Sequence, residues 1–326
     1  MINLIQMKKQ KLIAILFLAN SFGAGYAQQK KELIEYGDME QWVTRTIHES
    51  SIIGGHKKTL YEIGPTQTID GNIAYSNLGN SPWANSNVYA KVAGIVKTNN
   101  TVYKEEREDG GFCARLETHI EKVKVLGLVN INVLAAGAIY LGDMKEPVTG
   151  TKAGVQGLNS GIPFTKRPSS LIYDYKVKLA NQKNRIKLTG FSSRETIPGI
   201  DCAITYLYLQ KRTEDANGNL FAKRVGTLIV KYDKSTDGWI NNASYEIKYG
   251  DISDQPDFDP EYMGLRSVDY ARNSKGQNVI VKETGWADAD EEPTHLIVQF
   301  SSSHGGAFVG SPGNTFWIDN VSLGYE

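Results

Sequence analysis

The chain has 326 residues, 40% hydrophobic and 10% aromatic. That is enough for a sizeable core and too much for wholesale disorder. Its 36 basic residues balance 36 acidic ones, so nothing in the charge calls for a polyanionic partner such as nucleic acid.

The first 27 residues read as a signal peptide. Lys8, Lys9 and Lys11 form a positive start, Leu12 to Ala19 is an apolar run, and Gly25-Tyr26-Ala27 puts small residues at a cleavage site. The run is shorter than the roughly 20 residues of a membrane helix. A first core helix is the bland alternative. No Cys follows the run, which excludes a lipid anchor at a mature N-terminal Cys. The expectation is export to the periplasm or the outer-membrane surface, not as a lipoprotein. The mature part, 28–326, carries 33 basic against 36 acidic residues and reads as one domain.

Strand patterns dominate that part. Val123 to Leu141 is apolar, but Lys124, Asn130 and Asn132 argue against a membrane span. Its glycines and β-branched residues predict two buried strands, or a strand and a loop. Leu171, Tyr173, Tyr175, Val177 and Leu179 alternate with Asp174, Lys176 and Lys178, the pattern of a half-buried strand. Cys202 to Leu209 reads as a more fully buried strand. Tyr245, Ile247 and Tyr249 alternate, as do Leu296, Val298 and Phe300. Phe316, Ile318, Val321 and Leu323 form a closing strand whose phase shifts near Asp319-Asn320, which predicts a bulge. Asn217-Gly218, Asp237-Gly238, Lys275-Gly276 and Gly305-Gly306 mark turns. The acidic stretch from Asp251 to Glu261, with Pro256 and Pro260, is read as a long surface loop rather than a linker. These signals predict an all-β antiparallel sandwich with long loops.

The two cysteines, Cys113 and Cys202, sit in separate strand-like segments. Two buried thiols are favoured, with a disulfide permitted by export. His48, His56, His119, His295 and His304 show no metal spacing, and no nucleophile elbow, phosphate loop or dinucleotide fingerprint is present.

The ends of the mature part are more specific. Tyr36-Gly37-Asp38-Met39-Glu40-Gln41-Trp42 opens it, and Phe316-Trp317-Ile318-Asp319-Asn320-Val321-Ser322-Leu323 closes it. The pair resembles the ends of jelly-roll carbohydrate-binding modules, and more closely the PCMD (putative carbohydrate metabolism domain) family of exported Gram-negative proteins. Gly110 to Thr118, Phe164 to Pro168 and Ser301 to Gly310 support the likeness, which runs over residues 36–325. Tyr36, Met39 and Asn320 depart from the pattern. The resemblance implies a galactose-binding-like jelly roll and glycan-related binding. It also implies that Glu40 and Asp319 help hold a structural calcium, since hard cations take oxygen ligands. The residues themselves leave a local hydrogen-bond network open at that point.

Asp38 and Glu40 have the alternate spacing of jelly-roll glycosidase carboxylates, but no further acid continues it. Sugar binding needs flat aromatics for the apolar ring face and a few placed polar groups. Trp83, Trp286 and Tyr262 stand in polar, loop-like surroundings, with Asp288 and Asp290 placed to accept hydroxyl hydrogen bonds beside Trp286. Trp42, Trp239 and Trp317 border strand patterns and are assigned to the core. The leading expectation is a noncatalytic glycan-binding protein of the cell envelope, linked to glycan utilisation. A surface protein that binds other proteins and a jelly-roll glycoside hydrolase are the alternatives.

Overall fold

A computed structural model describes residues 30–125, 129–190, 193–306 and 308–326. The signal-peptide reading therefore lies outside the described residues. Among those residues the structure is almost all strand, with one short α-helix, Thr151–Gln156, and one 3₁₀ turn, Ser51–Ile53. No described helix is long and apolar enough to cross a membrane.

Two sheets hold the main core. The six-stranded sheet runs in the order Ile240–Glu246, Ser170–Lys178, Thr315–Tyr325, Phe112–Glu117, Val102–Glu106, and Lys30–Leu33 also pairs with Thr315–Tyr325. The ten-stranded sheet is centred on His295–Ser301, Ala203–Glu214 and Leu220–Tyr232. Its pairs are antiparallel except that Leu220–Tyr232 runs parallel to Asn278–Trp286. Alternation decides what faces inward. Leu171, Tyr173 and Val177 from the first sheet meet Leu207, Leu209, Val298 and Phe300 from the second in one buried cluster. The Tyr173 ring packs edge-on to Phe300 at 4.9 Å, bridging the layers. Truncating a ring such as Phe300 costs about 3–5 kcal/mol.

The chain ends meet as their motifs suggest. Lys30–Leu33 pairs antiparallel with Leu323 and its neighbours, Ile34 N–H donates to the Val321 carbonyl, and Val321 N–H donates to Gly37. A Cβ at Gly37 would stand 2.5 Å from Val321 O, so this approach requires glycine. The predicted bulge is present. Ile172 pairs with Ser322 and Asp174 with Asp319, which leaves two residues opposite one, with Asn320 at φ 53°.

Val123 to Leu141 forms parts of three strands, His119–Val125, Val129–Ala135 and Ala138–Met144. The acidic stretch is a loop that leaves the ten-stranded sheet at Lys248–Tyr249 and re-enters it at Tyr270–Arg272. Cys113 and Cys202 are both buried free thiols. Burial pushes each up to about 12, which keeps them protonated and unreactive.

The aromatic assignments divide. Trp42 is in the core as expected, but Trp317 and Trp239 are only half-buried. Trp317 lies between the inward Phe316 and Ile318, so alternation puts it on the outer face. There Tyr103, Arg115, Trp317 and Lys176 follow one another across four strands. Arg115 stacks on Tyr103 at 4.1 Å, and Lys176 lies over both Trp317 and Trp239. Exposed sheet is thus roofed by alternating rings and cations.

Candidate functional site

The sequence-selected residues separate in space. Trp83 is 1% exposed and belongs to the main core. Its indole N–H donates to the Glu35 carbonyl at 2.9 Å, so it offers no face to a ligand. Polar neighbours in sequence suggested a loop. Instead Trp83–Asn85 is a strand, whose Asn85 turns its polarity inward to Tyr61 O and Glu62.

Trp286 ends the strand Asn278–Trp286 rather than lying in a loop. Its register partner is Arg224, which lies 5.8 Å from its ring, while Phe258 meets it edge-on at 6.4 Å. The ring thereby covers one side of a buried ion pair, Arg224–Glu283, whose side chains are fully buried. Glu283 also accepts from Gln210 and from Arg266 N–H, and Arg224 stacks on Tyr208 at 3.8 Å. Tyr262 sits beyond Tyr208, with its ring toward Lys231 at 4.4 Å and His304 at 5.9 Å. Asp288 and Asp290 are exposed on the loop that follows Trp286.

The two motif acids take protein partners. Asp319 and Asp174 share the Arg107 guanidinium at 2.7 and 3.1 Å, so that place already holds a cation. Glu40 instead accepts from Phe112 N–H at 3.0 Å, packed where Gly111, at φ 77°, leaves room for its carboxylate. Both acids brace the turn between Val102–Glu106 and Phe112–Glu117, from two sides. Burial, against the pull of Arg107, pushes Asp319 up to about 6. Among the described residues no group of three or more His, Cys, Asp or Glu is arranged to hold a metal.

The segment from Ser301 to Gly310 has a similar structural use. Asp201, 2% exposed, accepts from Ser303 Oγ, Ser311 N–H at 2.7 Å, Asn314 Nδ2 at 3.0 Å and His304 Nδ1 at 2.8 Å. Arg185 can only donate, so His304 Nε2 accepts from it at 2.9 Å, and His304 Nδ1 lies between Asp201 and the Cys202 N–H at 3.1 Å. One carboxylate thus fastens the glycine-rich segment.

Two cavities remain as places for chemistry. The smaller, of about 20 Å³, lies among Glu62, Glu146, Tyr75, Asn77 and Asn87. Arg45, 1% exposed, bridges Glu62 at 2.8 Å and Glu146 at 2.6 Å. Burial, aided by Glu146 and opposed by Arg45, pushes the Glu62 carboxyl up to about 7. Two carboxylates with one perturbed value are the pattern of an acid–base pair. Here, however, both are committed to Arg45, and Glu146 also accepts from Tyr75 N–H and Tyr89 N–H. The space holds little more than a water.

The larger cavity, of about 200 Å³, is a surface groove on the other face of the sheet from Arg224. Lys211 and Thr213, Phe221 and Lys223, and Thr284 come from three adjacent strands, and Glu291 leans in from the loop that carries Asp288 and Asp290. Thr213 pairs with Phe221 and Lys211 with Lys223 across the hairpin. Lys211 donates to Glu291. That bond, with Lys223 behind it, holds the Glu291 carboxyl below its usual value. The loop is clamped by Arg167, which donates to the Ala289 and Glu291 carbonyls and stacks on Tyr249 at 4.2 Å. An aromatic ring, two hydroxyls, two cations and one carboxylate therefore converge on a space for roughly six waters' volume at about 30 Å³ each. Sequence reading missed Phe221 because Leu220-Phe221-Ala222 looks like any half-buried strand. What exposes the ring is that these strands run past the edge of the opposing sheet's core.

A β-sandwich with a small polar and aromatic surface groove is the class that fold and site define. The PCMD family, described as "Putative carbohydrate metabolism domain", matches residues 66–324, and the chain belongs to it. It is thus a carbohydrate-metabolism-related domain. No curated protein matches the chain. Among solved structures it is similar to a "putative glycoside hydrolase" from Bacteroides thetaiotaomicron VPI-5482, at 16% identity and TM-score 0.42 over 84% of this chain and 76% of that one. Another protein of the same description, from Bacteroides vulgatus ATCC 8482, gives 15% identity and TM-score 0.42 over 91% and 95%. Likeness at this level does not extend to activity.

Proposed function

We propose that the protein is an exported, noncatalytic glycan-binding component of the cell envelope, and that the Phe221 groove is where it binds. The observation that carries this reading is the groove's composition. The Phe221 ring supplies a flat apolar surface beside Thr213, Thr284, Lys211, Lys223 and Glu291. Pyranose rings stack on such a surface while their hydroxyls need nearby donors and acceptors. Family membership supports a carbohydrate ligand. Binding rather than hydrolysis is favoured because Glu62 and Glu146, the carboxylates at the smaller cavity, are tied to Arg45. Export rests on the leader pattern of residues 1–27.

A glycan array on the mature chain tests the reading. Wild type binds a defined set of glycans, Phe221→Ala loses them, and Trp286→Ala keeps them with a lower melting temperature. Loss in the Trp286 variant alone moves the site to the Arg224 face. An array with no ligand for wild type removes the glycan reading and leaves protein recognition in its place.

A further inference from the structure

The cations of the groove are crowded in a way that its own residues do not relieve. Lys211 and Lys223 are direct cross-strand partners, and like charges in that position repel. Lys282 occupies the register position beside Phe221 on the next strand, just outside the lining. Against these, one lining carboxylate, Glu291, pairs with Lys211. Among the described residues no ion pair is seen for Lys223 or Lys282. Glu291 is anchored through its backbone by Arg167 and hydrogen-bonds Lys211, while Lys223 acts on it only through space.

We infer that the groove takes a saccharide carrying a negative group, a carboxylate or a sulfate ester, and that Lys223 is the residue which meets it. The inference rests on the glycan-binding reading above and adds the ligand's charge. A bound anion between Lys223 and Lys282 relieves the repulsion that the apo groove retains. Phe221 then lies beneath the ring, and Thr213 and Thr284 reach its hydroxyls. The Thr284 hydroxyl already donates to the Ala222 carbonyl at 3.3 Å, which leaves its oxygen as an acceptor. The volume fits one sugar residue, so a single acidic residue of a longer chain is held and the rest stays in solvent. Asp288, Asp290 and Glu292 are exposed on the same loop and oppose an anion. They are outside the groove's lining.

Titration with three oligosaccharides of one backbone tests this: neutral, with a uronate, and with a sulfate ester, each at low and high salt. The expected result is a preference of about tenfold for at least one anionic form, shrinking as salt rises. Which anionic form wins names the group. Lys223→Gln removes the preference and Lys223→Arg restores it, with melting curves confirming that both variants fold. Neutral binding equal to or tighter than anionic overturns the inference and leaves the glycan reading standing, as does a preference that salt does not touch. No binding of any probe by wild type removes both.

Discussion

The two cavities set opposite uses of charge side by side. Around the small one, the side chains of Arg45, Glu62 and Glu146 are buried and paired with one another through both terminal nitrogens of the guanidinium. They join the paired strands Trp42–His48 and Lys57–Ile63 to the segment after Ala138–Met144, which is distant in the chain. Around the groove, Lys211 and Lys223 stand at the surface with a single lining carboxylate between them. Buried charges in excess impose a cost that shows up in stability, because removing one partner leaves another stranded. Surface charges in excess cost little while the protein is free, and that deficit is available to a ligand. The difference teaches where to look. A perturbed carboxyl can mark a cohesive joint, while recognition chemistry can sit in an open surface groove.

Variants can break that comparison. The largest expected effect is from Arg45→Met. It strands Glu62 and Glu146 without a cation and should lower stability by about 3–5 kcal/mol in chemical denaturation at neutral pH. A loss under about 1 kcal/mol would show that the joint is wet and weak. Next is pH. Glu62 holds its proton in the folded state up to about 7, against 4.5 in the unfolded chain. The folded state therefore binds more protons across that window, and this group's contribution to stability falls as pH rises from 4.5 to 7. The fall is about 3 kcal/mol at roughly 1.4 kcal/mol per pH unit. Glu62→Gln should flatten that slope and be more stable than wild type at pH 8. If both proteins show the same slope, another group titrates there.

The groove responds the other way. Phe221→Ala should change stability by no more than about 1 kcal/mol, since the ring is only half-buried, while glycan binding on the array disappears. Arg167→Ala should act at a distance. It frees the loop holding Glu291, so affinity should drop several-fold with nearly constant melting temperature, and backbone exchange in residues 287–292 should rise. The smallest expected effect is from calcium, because Arg107 stands between Asp174 and Asp319. Melting with calcium and with chelator should coincide, and a stabilised calcium form would locate an ion elsewhere.

What the sequence made legible follows from range. Alternation from Leu171 to Leu179, the bulge at Asn320 and the turn at Asn217-Gly218 depend on neighbours in the chain, and each appears in the structure. The meeting of the chain ends was also readable, because both ends carry a motif. Asp174 shows the limit. It stands at an outward position of a clean alternation, yet it is 5% exposed, because Arg107 reaches it from the turn after Val102–Glu106. Trp83 and Trp317 exchanged their expected places for a related reason. A polar neighbourhood in sequence does not report which side of a sheet is covered. The groove was hidden more thoroughly, since Glu291 joins Lys211 and Phe221 only through a loop held by Arg167.

The closing strand adds a constraint of time. Thr315–Tyr325 is not an edge of the six-stranded sheet but its middle, flanked by Ser170–Lys178 on one side and Phe112–Glu117 on the other. A ribosome makes these flanking strands first, and they have no common partner until residue 325 has emerged. The six-stranded sheet thus cannot close before Thr315–Tyr325 is made, and its pairing is of the long-range, slow kind.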